Sequence, residues 1–155
     1  MLALICASCG GTIHVNQACE DCGIEYMEML NGIQHHEMKR LFKKIEEIQK
    51  HHGNIDMEAS LMACELANAS LILPAQIDDN SMGIVELPGP KNKKFIALAT
   101  DMDEFNKGFE DLTPLTNPWN IILGLLHDDV EGFVINPFDE VVFLGRSFLN
   151  PFFEV

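Results

Sequence analysis

Two cysteine pairs, Cys6-Ala7-Ser8-Cys9 and Cys19-Glu20-Asp21-Cys22, constrain this chain more than any other feature. In each pair two thiols stand at i and i+3, so one tight turn can aim both sulfurs at one ion. Two such turns make a tetrahedral S4 site of the kind zinc favours. Gly10-Gly11 follow the first pair and Gly23 the second. Glycine admits a positive φ there and leaves backbone amides free to bond to sulfur. The expectation is a small zinc ribbon with one structural zinc held by Cys6, Cys9, Cys19 and Cys22. Four protein ligands close such a site, which then folds the segment rather than catalysing. A redox dithiol and disulfides are the competing uses. Neither pair sits in a strand-and-helix unit, which argues against dithiol catalysis.

The remaining sequence divides by pattern. Residues 1–24 hold too few apolar side chains for a core and form the ribbon. Residues 25–54 form a connector, with a helix over 34–50 on which Met38, Leu41, Phe42, Ile45 and Ile48 share one face. Residues 55–155 read as an α+β domain: a mixed sheet flanked by helices. A helix runs from Asp56 through Ala67, with Cys64 expected as a buried apolar residue. Strands are expected at Ser70–Leu73, ended by Pro74, and at Ile84–Leu87 and Phe95–Ala99, with a turn over 88–92 between the last two. Thr100-Asp101-Met102-Asp103 suggests a capped helix reaching Phe109. Asn117-Pro118 places proline first in a helix over Trp119–Leu126. Gly132–Asn136 and Val141–Leu144 form a hairpin across 137–140, and Arg146–Phe153 is helical.

Charge decides which partners to expect. The chain carries 24 Asp and Glu against 10 Lys and Arg, a formal net charge of −14. Most of the excess lies in residues 61–155. Like-charge repulsion opposes binding to nucleic acid or an anionic membrane. Zinc with four thiolates leaves the ribbon negative, Glu20 and Asp21 add to this, and no Lys or Arg precedes Lys39. A nucleic-acid-binding ribbon is therefore the least favoured alternative. The longest apolar run, Ile121–Leu126, falls far short of the roughly 20 residues that cross a bilayer. The opening Met1-Leu2-Ala3-Leu4-Ile5-Cys6 lacks the basic and apolar regions of a secretory signal. A soluble, cytoplasmic protein is expected, in a compartment where thiols stay reduced.

No other constellation spells out a reaction. Asp78-Asp79, Asp101-Met102-Asp103-Glu104 and Asp128-Asp129 invite an enzyme with an acidic pocket around Asp78, Asp101 and Asp128. Placement in turns and at a helix start, where negative charge is favoured, is the simpler account. His35-His36 and His51-His52 read as surface residues, and His14 lies between the cysteine pairs. A phosphate loop, a G-x-S-x-G elbow and an H-E-x-x-H motif are all missing, so no catalytic or cofactor-binding residues are assigned. Phe138, Phe143, Phe148, Phe152 and Phe153 gather near the C-terminus, either in the core or as a patch for a partner.

Three stretches resemble the N-terminal domain of the SseB family over residues about 55–155. They are Leu66-Ala-Asn-Ala-Ser-Leu-Ile-Leu-Pro-Ala75, Lys94-Phe-Ile-Ala-Leu-Ala-Thr-Asp-Met-Asp-Glu-Phe105 and Val130-Glu-Gly-Phe-Val-Ile-Asn-Pro-Phe138. The resemblance implies an α+β domain and brings no catalytic residues, since the family's molecular activity is generally treated as unknown. Its members often continue into a second domain, and a ribbon segment lies outside their pattern. Together these readings expect a non-catalytic protein-interaction or adaptor module that binds a protein partner or itself.

Overall fold

The computed structural model describes residues 3–79, 81–139 and 141–153. Met1 and Leu2 of the opening stretch, and Glu140 of the expected hairpin turn, lie outside the described residues. The chain is α+β, with helices packed on mixed sheets and the cysteine cluster at its N-terminal end.

The ribbon starts as an antiparallel pair, β1 (Ala3–Ile5) with β2 (Thr12–His14), in which Leu4 faces Ile13 and both are buried. A short helix, α1 (Tyr26–Asn31), follows and buries Tyr26, Met29 and Leu30. The expected connector helix is α2 (His36–Lys50), burying Met38, Leu41 and Phe42. Next comes α3 (Asp56–Ala67), where the expectation for Cys64 fails. The buried stripe is Glu58, Met62 and Leu66, one residue every four. Cys64, two positions beyond Met62, lies about 200° round the helix and is exposed.

Strand β3 (Ser70–Asp78) is the centre of a three-stranded sheet, between β4 (Ser81–Ile84) and β7 (Thr113–Pro118). It runs through Pro74 rather than stopping there, and register explains why. Ile72 turns its N–H and C=O away from β7, exchanging bonds of 2.9 and 2.8 Å with Ala99. Strand alternation sends the Pro74 nitrogen to that same side. There it falls in the gap between Ala99 and the start of β4 pairing at Ala75, so no ladder bond is lost. Pro114 stands opposite it in β7, with its own nitrogen facing the sheet's outer side. These prolines hid β7 from the sequence reading.

A second sheet runs β5 (Glu86–Pro88), β6 (Lys94–Leu98), β8 (Gly132–Ile135), β9 (Val142–Leu144). The pair β6–β8 is parallel and the other two are antiparallel. The single strand expected at Ile84–Leu87 is thus the point where the chain changes sheet at Val85. The carbonyl of Val85 still accepts from Ala97 at 2.9 Å. Asp101 caps α4 (Met102–Phe105), accepting the Glu104 N–H at 3.0 Å, and the helix ends before Phe109. Pro118 is the cap of α5 (Trp119–Leu123) rather than its first residue, and Gly124 stops it short of Leu126. The expected hairpin and terminal helical stretch are β8–β9 and α6 (Arg146–Leu149), the latter followed by a 3-10 turn over Asn150–Phe153.

One apolar cluster joins Leu4 and Ile13 of the ribbon, Leu41 of α2, Leu66 of α3, and Leu71, Ile96 and Phe133 of the sheets. The Asn117 side chain accepts the Ile5 N–H at 3.4 Å, and the Tyr26 hydroxyl donates to the Pro114 carbonyl. Burial pushes the Tyr26 phenol well above its ordinary range. Among the described residues, no helix is long and apolar enough to cross a membrane.

Candidate metal centre

The two cysteine turns are one turn built twice. Cys6 N donates to the Gly11 carbonyl at 2.8 Å, and Cys19 N donates to the Ile24 carbonyl at 2.9 Å. Gly10 N closes back on Cys6 O at 2.9 Å, and Gly23 N on Cys19 O at 3.0 Å. Both closing glycines have positive φ, 80° and 79°. Side chains with a Cβ rarely adopt that conformation, which accounts for glycine at the same place after each pair.

The repeated turn brings four sulfurs together, all within 4.8 Å of one another. Cys6 and Cys22 approach to 3.9 Å, and Cys9 and Cys19 to 3.6 Å. A tetrahedral site with metal–sulfur bonds of about 2.3 Å spaces its sulfurs about 3.8 Å apart. No disulfide forms. Cys6 and Cys19 face the core at 1% and 4% exposure, whereas Cys9 and Cys22 face solvent. The cluster could therefore hold one metal ion at the rim of the apolar core.

Amides prepare the sulfurs for charge. Gly11 N–H points to Cys9 Sγ at 3.3 Å, and Asp21 N–H to Cys19 Sγ at 3.4 Å. The Cys22 and Asp21 amides draw the Cys19 thiol down to about 7. The Gly11 amide pulls Cys9 the same way, but neighbouring thiols and burial outweigh it and push Cys9 up to about 12. Thiolates this close repel, and a cation at their centre removes the conflict. The second turn is braced by Asp21, whose carboxylate accepts Thr12 N–H at 2.9 Å, while Glu20 N donates to Thr12 O at 3.0 Å. Space there is tight: a Cβ on Gly11 would lie 2.0 Å from Asp21 Oδ2. His14 does not turn to the sulfurs but pairs with Glu20 at 3.5 Å.

The other candidate residues separate. Asp101 follows the carboxyl end of β6, while Asp128 precedes β8. In a parallel pair these are opposite ends, at least a four-residue strand of about 13 Å apart. Asp78 lies six residues beyond Ile72, the partner of Ala99, so about 20 Å from that end along β3. Asp78 and Asp128 are exposed, and the acidic pocket does not assemble. Among the described residues, no other group of three or more His, Cys, Asp and Glu converges. His51 lies on the surface beside Glu47, but His35 is half-buried, its Nε2 2.7 Å from Ser70 O, where it ties the start of α2 to β3. Of the phenylalanines, Phe138, Phe143 and Phe153 are exposed, while Phe148 and Phe152 pack on the core.

Sequence reading missed a polar cluster at the carboxyl ends of β6 and β8. Lys39 Nζ reaches from α2 to Asp101 Oδ2 at 2.7 Å and Glu104 Oε1 at 3.4 Å. Lys107 bridges Glu104 Oε1 at 3.0 Å and Asp139 Oδ2 at 2.6 Å. Asn136, at φ 54°, accepts Thr100 N–H at 3.0 Å and donates to the Thr100 hydroxyl at 3.1 Å. Burial pushes the Asp101 carboxyl up, but Lys39, the Glu104 amide and the Thr100 hydroxyl together hold it below its usual range. Lys39 is raised in turn, its carboxylate partners outweighing the burial that lowers it. The acidic run Asp101-Met102-Asp103-Glu104 was the visible sequence sign of this cluster.

No family model, curated protein or solved structure matches this chain.

Proposed function

We propose that the chain is a non-catalytic protein-interaction module whose four-cysteine turn pair holds one structural zinc ion. The observation that carries this reading is the convergence of four thiols within 4.8 Å on turns that supply amide donors to sulfur. All-sulfur, tetrahedral surroundings suit zinc, and four protein ligands leave no position for substrate or water. The role is to hold the ribbon's strands and α1 in place against β7. The resemblance of residues 55–155 to the SseB family N-terminal domain agrees with an α+β body that brings no catalytic set.

Three features favour binding to protein over nucleic acid. The ribbon has no Lys or Arg, and its His14 faces Glu20, so phosphate contacts lack a permanent positive charge to pair with. Phe138, Phe143 and Phe153 stand exposed on a chain otherwise rich in acids. An apolar cavity of about 380 Å3 lies between α2, α3 and β9, with Phe42, Ile45, Met62, Phe143 and Phe148 in its walls. The test is zinc-loaded protein as bait, or in a sizing run, against the variant Phe138→Ser/Phe143→Ser/Phe153→Ser. A partner or dimer retained by the parent and lost by the folded triple variant supports the reading. A strict monomer that retains the same proteins as its triple variant contradicts it.

A further inference from the structure

Strand β9 ends its sheet, and among the described residues no strand pairs with its outer side. The hydrogen bonds fix which backbone groups look that way. Ala97 N–H donates to Val85 on the β5 side, and Asn136 N–H donates to the Leu98 carbonyl, both at 2.9 Å. Leu98 therefore bonds towards β8, to Val134 and Asn136, which leaves Phe133 and Ile135 turned to β9. Their partners there are Leu144 and Val142, so Phe143 between them aims its N–H and C=O outward. The apolar cavity of about 380 Å3 lies along this edge. Phe143 stacks on Phe95 on one face of the sheet, ring centroids 5.0 Å apart, while Val142 and Leu144 point to the other face. All three line the cavity, so it follows the edge of the strand rather than either face. Across from them stand Phe42, Ile45 and Gln49 of α2, at i, i+3 and i+7, and Ala59 and Met62 of α3.

A groove with an open strand edge on one side and apolar helix faces on the other suits one more strand. The outward N–H and C=O of Phe143 are matched by an extended backbone, which an acyl chain lacks. A second copy cannot supply that strand. Its own β9 edge is walled by its own α2 and α3, and two helix pairs would have to share one groove. It also brings a second charge of −14. The occupant is therefore a loop or terminus of another protein. Alternation sends every second side chain towards Phe42, Ile45 and Met62, so those side chains are aliphatic. Charge sets the flanks. Among the described residues Glu46 is the one charged side chain lining the cavity, and it meets Lys50 at 3.2 Å in a pair exposed on both sides. Such a pair is worth little, so a Lys or Arg beside the aliphatic run takes its place and complements the acidic chain.

We propose that β9 takes on an extended, aliphatic segment of a partner protein, flanked by basic residues, as an added strand between its edge and α2. This rests on the protein-interaction reading above and names the kind of partner. The experiment titrates metal-loaded, full-length, 15N-labelled protein with the peptide Ac-Lys-Val-Thr-Val-Thr-Val-Lys-NH2 and follows amide shifts. The expected result is saturable shifts at Ile45, Gln49, Val142 and Phe143, with a Kd of about 1 mM or tighter. Two further peptides carry N-methyl groups either on the valines or on the threonines. Only one set of alternate N–H groups can face β9, so one of the two should bind about fivefold weaker and the other close to the parent peptide. Phe143→Pro removes the outward N–H without touching the ladder to β8, and should bind about fivefold weaker than Phe143→Ala, which keeps it. The N-methyl comparison on the parent chain decides the matter if the proline variant does not fold. Glutamate in place of both lysines of the peptide should weaken binding several-fold. Shifts that do not saturate, equal effects of the two N-methylations, or equal affinity of the glutamate peptide would each overturn the proposal. So would tighter binding of decanoate at these amides, or the same shifts on concentrating the protein alone. A partner or dimer that the parent holds and Phe138→Ser/Phe143→Ser/Phe153→Ser loses, with no saturable peptide binding, overturns this inference and leaves the interaction reading standing.

Discussion

Replacing Lys39 with methionine keeps most of the side chain's packing and removes its charge. The structure sets the size of the effect. Lys39 is the ammonium that neutralises Asp101, at 2.7 Å, and it shares Glu104 with Lys107. Removing one partner of a fully buried ion pair costs about 3–5 kcal/mol. Two features reduce that here. The Lys39 side chain is 32% exposed, so water screens the pair. Asp101 also keeps the Glu104 amide and the Thr100 hydroxyl as donors. The expected loss is about 2 kcal/mol, or roughly 4–8 °C in Tm for a chain of this size. Urea unfolding of zinc-saturated protein measures it directly. A double-mutant cycle with Asp101→Asn should return a coupling of about 1 kcal/mol or more. The pH dependence supplies a signed check. Asp101 titrates below its ordinary value in the folded parent, so its share of stability is present above about pH 4 and is lost as pH falls through the folded value. The gap between parent and Lys39→Met should therefore close on acidification. Lys39 itself is raised, so its share persists below its ordinary value and fades as pH rises through the folded one. A variant within about 0.5 kcal/mol of the parent at pH 7, or a gap that widens towards pH 3, would refute this reasoning.

Three further substitutions test particular contacts. Gly132→Ala places a Cβ 1.8 Å from the Leu144 carbonyl oxygen, so β8 and β9 must separate; thermal unfolding should show a loss of about 3 kcal/mol or more. Asn136→Ala removes the acceptor for Thr100 N–H and puts a Cβ-only side chain at φ 54°, whereas Asn136→Gly relieves the backbone; denaturant titration should rank parent above both, with a loss of about 2 kcal/mol for alanine. Gly11→Ala drives a Cβ into the Asp21 carboxylate that caps Thr12, so competition with a chromogenic chelator should show at least about tenfold weaker metal retention, with the body's far-ultraviolet spectrum intact.

Some of this was readable because the determining distances are short in sequence. Cys-x-x-Cys followed by glycine specifies a turn through contacts at most five residues apart, so the four-cysteine cluster could be read from residue types alone. The face of α2 was equally local, from Met38 to Ile45. What stayed hidden had one of two causes. In β7, Pro114 and Pro118 broke the apolar alternation that announces a strand, and only pairing with β3 shows that their missing N–H groups cost nothing. In α3 the expectation for Cys64 misled, because the buried face runs through Glu58, paired with Lys44 at 3.7 Å, and leaves Cys64 facing out. The Lys39–Glu104 contact spans 65 residues, and no local pattern encodes it. Asp78, Asp101 and Asp128 share a residue type but not a place, because strand direction sets Asp101 at the opposite end of β6 and β8 from Asp128, and at the far end of β3 from Asp78.

The claim on which the rest depends is that Cys6, Cys9, Cys19 and Cys22 hold one zinc ion that folds the ribbon. Native mass spectrometry paired with elemental analysis, on parent and Cys6→Ser purified without added metal, tests it most directly. The account predicts one zinc per parent chain, less than about a tenth of that in Cys6→Ser, and chelation that unfolds residues 3–24 before the sheets. A parent chain free of metal, carrying a different ion in stoichiometric amount, or keeping its zinc after Cys6→Ser would contradict it.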